Sequence, residues 1–352
     1  MEKRKQIEWI QYARAFCIIA VIFIHCKSAE EYRVLEGTNI VYWAWMLIRN
    51  FLDFPVGLFF VISGYLVNEK NVLCDTKTFL KKRLIRLGLP FLIWTVFYSC
   101  VYIYMEWPDF TVQELISKAL RGNVAVHLYF VLVLLQLNII TPFVIKMKKS
   151  RIFNVLFWMI TPVFYIVNFV YFVNHGDQMP SEQLYFMSWF IYYYFGLKLK
   201  DMEQKYASSK ALSYGLVILG FAAFLESLFL IRFGATTNYA VSQMRLFVIP
   251  YILSAAVLLC NRKIEIGNAI SKALHSIGEK SYGIYYVHVA FLYCINKAYL
   301  ILQGKIGGGT VPLFLLIGIE LILTTVLSYS TCCMCEKILG KKIASKFFGM
   351  RG

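Results

Sequence analysis

Ten apolar runs of 16 to 25 residues occupy most of the chain, at 7–27, 52–68, 87–105, 127–146, 153–173, 184–199, 212–231, 245–261, 282–303 and 312–336. A bilayer core takes roughly 20 residues of helix but only about ten of barrel strand. Runs of this length predict an all-α integral membrane protein with about ten transmembrane helices in one bundle. The composition agrees. Hydrophobic residues make up 59% and charged residues 16%, where a soluble domain carries roughly a quarter charged. That balance excludes a soluble enzyme, a disordered chain and a secreted disulfide scaffold. Residues 40–51 are apolar too, and either extend the second helix outward or lie along the interface.

The charged residues orient the bundle. With the amino terminus in the cytoplasm, the inner clusters at 3–5, 70–86, 146–151, 198–210, 262–280 and 337–351 hold 26 of the 36 Lys and Arg residues. The outer segments hold six: Lys27, Arg33, Lys118, Arg121, Arg232 and Lys305. Basic residues concentrate in cytoplasmic loops, so both termini are predicted to be cytoplasmic. The net charge of +16 would suit a nucleic-acid binder. No basic stripe sits on a soluble module, however, and no nucleic-acid partner is expected.

The run from Ile7 carries Arg14 and His25 without a convincing cleavage site, so it reads as a retained helix. The longest outer loop, 105–126, contains Trp107, Pro108, Asp109 and Glu114, then a short amphipathic segment. Gly307, Gly308 and Gly309 mark an outer turn. No soluble domain is visible, and residues 1–352 read as a single membrane domain. The nine cysteines form no disulfide framework. Cys332, Cys333 and Cys335 cluster, but no nearby His completes a metal site, and no metal is expected.

Ionisable groups inside a bilayer are costly and need a reason. Arg14 and His25 are eleven residues apart, about 16 Å along a helix and close to three whole turns. One helix face therefore offers a fixed cation toward the cytoplasm and a titratable base toward the outside.

Here a resemblance becomes specific. The segment RAFCIIAVIFIHC (14–26) is similar to the Arg, ten residues, His signature of the membrane acyltransferase 3 family, which acylates carbohydrates. Four more segments resemble family motifs in order: FPVGLFFVISGYL (54–66), KKRLIRLGLPFLIW (81–94), HLYFVLVLLQLNIITP (127–142), with Tyr129 where Trp is common, and SYGIYYVHV (281–289). The resemblance covers essentially the whole chain.

It implies an acyl-CoA donor, acetyl-CoA first, reaching the site from the cytoplasm. It also implies an acceptor hydroxyl on an envelope glycan or lipid-linked sugar, in a bacterial inner membrane. His25 is the catalytic candidate, because an imidazole can take the proton of a sugar hydroxyl as that hydroxyl attacks a thioester. Direct transfer and an acyl-histidine intermediate both remain open. Arg14 either holds the donor's phosphate or carbonyl, pairs with an internal acid, or snorkels to headgroups.

Arg83 and Arg86 are expected to bind the donor's phosphates, because the family pattern places arginines there and guanidinium matches phosphate. Many relatives carry Asp where this chain has Gly57, which removes the obvious orienting partner of His25. Asp53 is the substitute, or else caps a helix end. Glu226 and Glu320 are further intramembrane acids, expected to pair with Arg14, Arg245 or Lys297. Tyr285 and His288 share a helix face near the inner third of the ninth helix, where they line the donor channel or simply pack. His127 either contacts the acceptor or is an interfacial histidine. Ser63 and Gly64 let the second helix approach a neighbour closely, and Ser63 is placed at the acceptor side. Lipids are the other expected partner, and the oligomeric state stays open. The competing reading is a polysaccharide exporter or other small-solute transporter of the same fold.

Overall fold

The computed structural model describes residues 2–26, 40–106, 109–202, 210–261, 267–306 and 313–349, excepting the side chains of 2–7, 200–202, 210–212, 303–306 and 313. Lys27, Arg33, Trp107, Pro108, Lys205, Arg262, Lys263, the Gly307–Gly309 turn and Arg351 lie outside the described residues, as do the side chains of Lys3, Arg4, Lys5, Lys200, Lys210 and Lys305. All regular structure among the described residues is helical. The first elements are α1 (Glu2–His25), α2 (Ile40–Phe51), α3 (Pro55–Tyr65), α4 (Glu69–Cys74) and α5 (Thr76–Glu106). Next come α6 (Val112–Leu120), α7 (Tyr129–Met147), α8 (Arg151–His175), α9 (Phe190–Met202) and α10 (Lys210–Arg232). The last are α11 (Thr237–Ala240), α12 (Val248–Asn261), α13 (Asn268–Ile306), α14 (Leu313–Leu339) and α15 (Lys341–Phe348).

Among the described residues, eight segments are long and apolar enough to cross a membrane: Glu8–His25, Ile40–Tyr65, Thr76–Glu106, Tyr129–Met147, Arg151–His175, Ser213–Arg232, Asn268–Leu302 and Phe314–Leu339. Their outward faces are apolar, with Leu92, Val96, Ile166, Val170, Ile218 and Ile322 all exposed. Faces of that kind suit lipid rather than water. The protein is a multi-pass, all-α membrane protein.

The two remaining runs form shorter helices, 13 residues in α9 and 14 in α12. At 1.5 Å per residue each covers about 20 Å, less than the ~30 Å hydrocarbon core. Both begin later than their apolar runs because side chains elsewhere satisfy the preceding backbone. Before α9, the amide of Gln136 donates to the Leu184 carbonyl and accepts from Phe186 N. Thr161 Oγ1 donates to the Met187 carbonyl and accepts from Ile191 N. Before α12, the Glu226 carboxylate accepts from the backbone N–H groups of Leu246 and Phe247 at 2.9 and 3.0 Å. Non-helical backbone survives in such a fold only where protein groups pair it.

The chain divides into two compact units. Unit 1 is Met1–Pro55 with Arg262–Gly352, and unit 2 is Val56–Asn261. In unit 1, α1 packs along α13, and α14 packs on both. The α1–α13 approach is close because Gly278 lacks a side chain; a Cβ there would overlap the Gln11 carbonyl. Tyr12 and Ser271 share a hydroxyl hydrogen bond of 2.7 Å. Lys280 pairs with Glu336 at 2.6 Å and Ser276 with Tyr329 at 2.6 Å, pinning α13 to α14.

Residues 40–51 form a helix of their own. It stops at Leu52–Phe54, and Pro55 restarts the chain at the first helical position of α3, where its missing N–H costs nothing.

In unit 2, α3 and α9 touch backbone to backbone. A Cβ on Gly64 would overlap the Tyr193 carbonyl, and one on Gly196 would overlap the Val61 carbonyl. The close approach expected of Gly64 is therefore present. Asn68 caps α4 through Asn71 N, Asp75 accepts from Thr78 N at the start of α5, and Thr111 caps α6 through Glu114 N. These are ordinary N-caps that fix where each helix begins.

Candidate active site

Unit 1 brings together two histidines from distant parts of the chain. His25 ends α1, and its ring centroid lies 5.6 Å from that of His288 on α13. His288 is fully buried, while His25 is half-buried. His288 Nδ1 lies 2.7 Å from the Tyr285 carbonyl. A carbonyl only accepts, so Nδ1 carries the proton and donates, leaving Nε2 as the atom that gains or loses one.

Tyr285 continues the constellation, its ring 6.1 Å from His288 and stacked at 6.2 Å on Tyr282. Tyr282 and Tyr286 have their hydroxyls 3.4 Å apart. The residue after His25, Cys26, donates its thiol to the Ile22 carbonyl of its own helix at 3.3 Å and interacts electrostatically with Glu320 of α14. Glu320 is fully buried. An imidazole pair and a carboxylate thus meet at one level of the unit.

His288 and Tyr285 were expected near the inner third of their helix. His288 lies beside His25, with Tyr285 one helical turn before it. The apolar run begins at 282, but α13 begins fourteen residues earlier at Asn268, because the polar stretch 268–281 is helical too. Helices α1 and α13 run parallel: Gln11 meets Gly278, and His25 meets His288.

The remaining candidates of unit 1 are placed as follows. Arg14 is half-buried one turn before Cys17 and acts electrostatically on it. Asp53 is fully buried in the break between α2 and α3 and forms an ion pair with Arg49, four residues earlier.

Unit 2 holds the others. His127 is buried at the entrance to α7, its ring edge-on to Tyr98 at 5.2 Å. Ser63 donates to the Phe59 carbonyl of its own helix at 2.8 Å. Arg83 sits over the Phe79 ring at 5.5 Å and acts electrostatically on Tyr193, whose hydroxyl shares a hydrogen bond with Thr141. Arg86 is exposed on α5. Glu226 caps α12 beside Arg245, which donates to the Ala223 carbonyl and to Ser227, both at 2.6 Å.

A Cβ on Gly57 would lie 2.6 Å from Ile252 Cδ1 and 3.3 Å from Tyr192 Cδ1. These obstacles are side-chain atoms, so a larger residue at this position requires Ile252 to move.

Two polar clefts lie at opposite ends of unit 2. One, of about 780 Å³, is lined by Gln113, Ser117, Lys118, Arg121, Asn123 and Gln183, among others. The amphipathic α6 forms its wall, with Val112, Ile116 and Leu120 exposed on the other side. Within it Glu114 is held below the usual carboxylate range by hydrogen bonds from Lys118 and Tyr102. The other cleft, of about 470 Å³, lies beyond the start of α5.

All nine cysteines are free, and no group of three metal-ligating side chains gathers among the described residues.

No curated protein and no solved structure matches the chain. A family model described as an acyltransferase domain matches residues 7–333, which takes in parts of both units. With two imidazoles and a carboxyl set inside an apolar helical bundle, and a match over nearly its whole length, the chain belongs to the acyltransferase 3 family of membrane O-acyltransferases.

Proposed function

We propose that the protein moves an acyl group, acetyl first, from cytoplasmic acyl-CoA to a hydroxyl of an extracytoplasmic or lipid-linked glycan. The observation that carries this reading is the His25–His288 pair with the Glu320 carboxyl at the neighbouring residue. In the direct route, His25 removes the acceptor's proton as its oxygen attacks the thioester carbonyl. The new C–O bond forms, the C–S bond breaks, and the proton passes from His25 to the departing thiolate. The products are an ester and free coenzyme A. His288, its Nδ1 committed to the Tyr285 carbonyl, supports the imidazole that charges during the step. In the two-step route His25 itself carries the acyl group.

The charge pattern supports the direction. It puts α1's amino terminus, Arg14, Arg83 and Arg86 on the cytoplasmic side, where the phosphates of coenzyme A arrive, and His25 toward the outside. The same orientation puts the α6 cleft outside. Gln113, Ser117, Asn123 and Gln183 there supply the mixed donors and acceptors that sugar hydroxyls need. The exposed apolar side of α6 suits a helix lying in the outer interface, with its polar side toward the headgroup region. His127 follows directly after Val126 of this cleft. Such a protein lets a bacterium decorate its envelope without exporting coenzyme A.

The test uses purified protein in nanodiscs, radiolabelled acetyl-CoA and a panel of envelope glycans. The account expects acceptor-dependent coenzyme A release by wild type and its loss in Arg14→Ala. Solute movement across proteoliposomes with no release of coenzyme A against any acceptor would favour a transporter instead.

A further inference from the structure

The smaller cleft of unit 2 belongs to none of the roles above. Its walls are Glu69 of α4, Lys148 and Lys149 of the α7–α8 connection, Arg151 and Asn154 of α8, and Lys198 of α9. Four cations face one carboxylate. Glu69 is already taken, because it pairs with Lys148. Among the described residues, Lys149, Arg151 and Lys198 have no carboxylate partner.

The neutral groups point the same way. Asn154 accepts a 2.5 Å hydrogen bond from the Tyr194 hydroxyl at Oδ1, which leaves its amide N–H groups to donate. Lys198 rests 5.7 Å above the Tyr194 ring, so the aromatic face holds the ammonium near the cleft. Ser150, the N-cap of the 25-residue α8, makes no side-chain cap bond. The positive end of that helix opens beside Arg151.

Every group left unspent in the cleft is therefore a donor or a cation. A basic loop that only enforced topology would need neither a concave wall nor an aromatic seat for its lysine. A ligand matching this set needs several acceptor oxygens and more than one negative charge. A phosphate ester is that ligand.

We propose that this cleft binds a phosphate ester, separately from Arg83 and Arg86. One source of the phosphate is coenzyme A itself, through its 3′-phosphate, and this source rests on the acyl-CoA reading above. The other source is the headgroup of an anionic phospholipid in the adjoining leaflet.

The experiment titrates the full chain in nanodiscs with coenzyme A, 3′-dephospho-coenzyme A and adenosine 3′,5′-bisphosphate by calorimetry. It compares wild type with Arg151→Ala and Lys149→Ala/Lys198→Ala, in phosphatidylcholine discs with and without phosphatidylglycerol. Losing one charge-assisted contact weakens binding about tenfold or more. If coenzyme A is the source, wild type binds it at least about tenfold tighter than the dephospho form, and the variants lose that preference. If lipid is the source, coenzyme A and 3′-dephospho-coenzyme A bind equally. Phosphatidylglycerol then raises the melting temperature of wild type but not of the variants.

Neither a 3′-phosphate preference nor a phosphatidylglycerol response that depends on these residues would overturn the proposal. The acyl-CoA reading fails separately. Wild type would then bind no coenzyme A at all, while the lipid arm would still report on the cleft.

Discussion

Replacing Gly64 or Gly196 with alanine would force apart two helices whose backbones touch. A Cβ on Gly64 overlaps the Tyr193 carbonyl and lies 3.1 Å from Leu197 N; one on Gly196 overlaps the Val61 carbonyl and lies 2.9 Å from Tyr65 N. The blocking atoms are main chain, so no rotamer change relieves them. The helices must separate by roughly an ångström, a gap that forfeits a quarter to a half of each dispersion contact along the seam. Overpacking of this kind costs about 1–3 kcal/mol, and the backbone nature of the clash puts each variant at the upper end. For a unit of this size that corresponds to a melting shift of roughly 5–10 °C.

The pair adds a sharper expectation. Once one alanine has spread α3 from α9, the second finds the space already opened. The double variant should therefore lose clearly less than the two single losses together. Thermal unfolding of detergent-solubilised protein, followed by circular dichroism or fluorescence, reads both quantities. Two single variants melting with wild type would refute the backbone contact. Strict additivity would refute the shared displacement.

Asp53→Asn should destabilise the fold by about 3–5 kcal/mol, because it leaves the Arg49 guanidinium buried against a neutral amide. Arg49→Met/Asp53→Leu should recover most of that loss in the same melts, and failure to recover would give Asp53 a role beyond the pair. Glu114 carries a pH signature. Its carboxyl is held below the ordinary range by Lys118 and Tyr102, so its bonds are complete above the unfolded value near 4.3 and are lost as pH falls through the lower folded value. Hydrogen exchange over Val112–Leu120 should accelerate in that acidic window in wild type, while Glu114→Gln should show no such step. Gly57→Asp should lower yield and melting temperature, and Ile252→Ala in the same chain should partly restore them, because Ile252 is the nearest obstacle.

Much of the architecture was legible in the amino acids because bilayer thickness leaves few solutions. Every apolar run supplies a helix, though several helices begin or end inside their run, and the basic stretch 81–86, expected as a loop, is part of α5. What the runs did not reveal has a common cause: hydropathy measures apolarity, not helicity. The polar stretch 268–281 is helical yet invisible to it, so α13 begins well before its apolar run. Residues 184–189 are apolar yet not α-helical, because Gln136 and Thr161 satisfy their backbone from other helices. Contacts between helices carry no periodic signal either. The meeting of His25 with His288, and of Cys26 with Glu320, joins residues more than 250 positions apart. The Arg49–Asp53 pair, by contrast, sits at i,i+4, and that spacing on a short helix end was a readable sign.

The central claim is that the His25 imidazole takes part in breaking the thioester. The direct measurement is the single-turnover rate of coenzyme A release from acetyl-CoA by purified His25→Ala, in nanodiscs with a working acceptor, beside a calorimetric titration of coenzyme A. General-base catalysis is worth roughly 10²–10⁴-fold. The account predicts a rate reduced by at least that lower bound, with coenzyme A affinity and melting temperature unchanged and partial recovery when free imidazole is added to His25→Gly. Release at the wild-type rate from folded, donor-binding His25→Ala would contradict it.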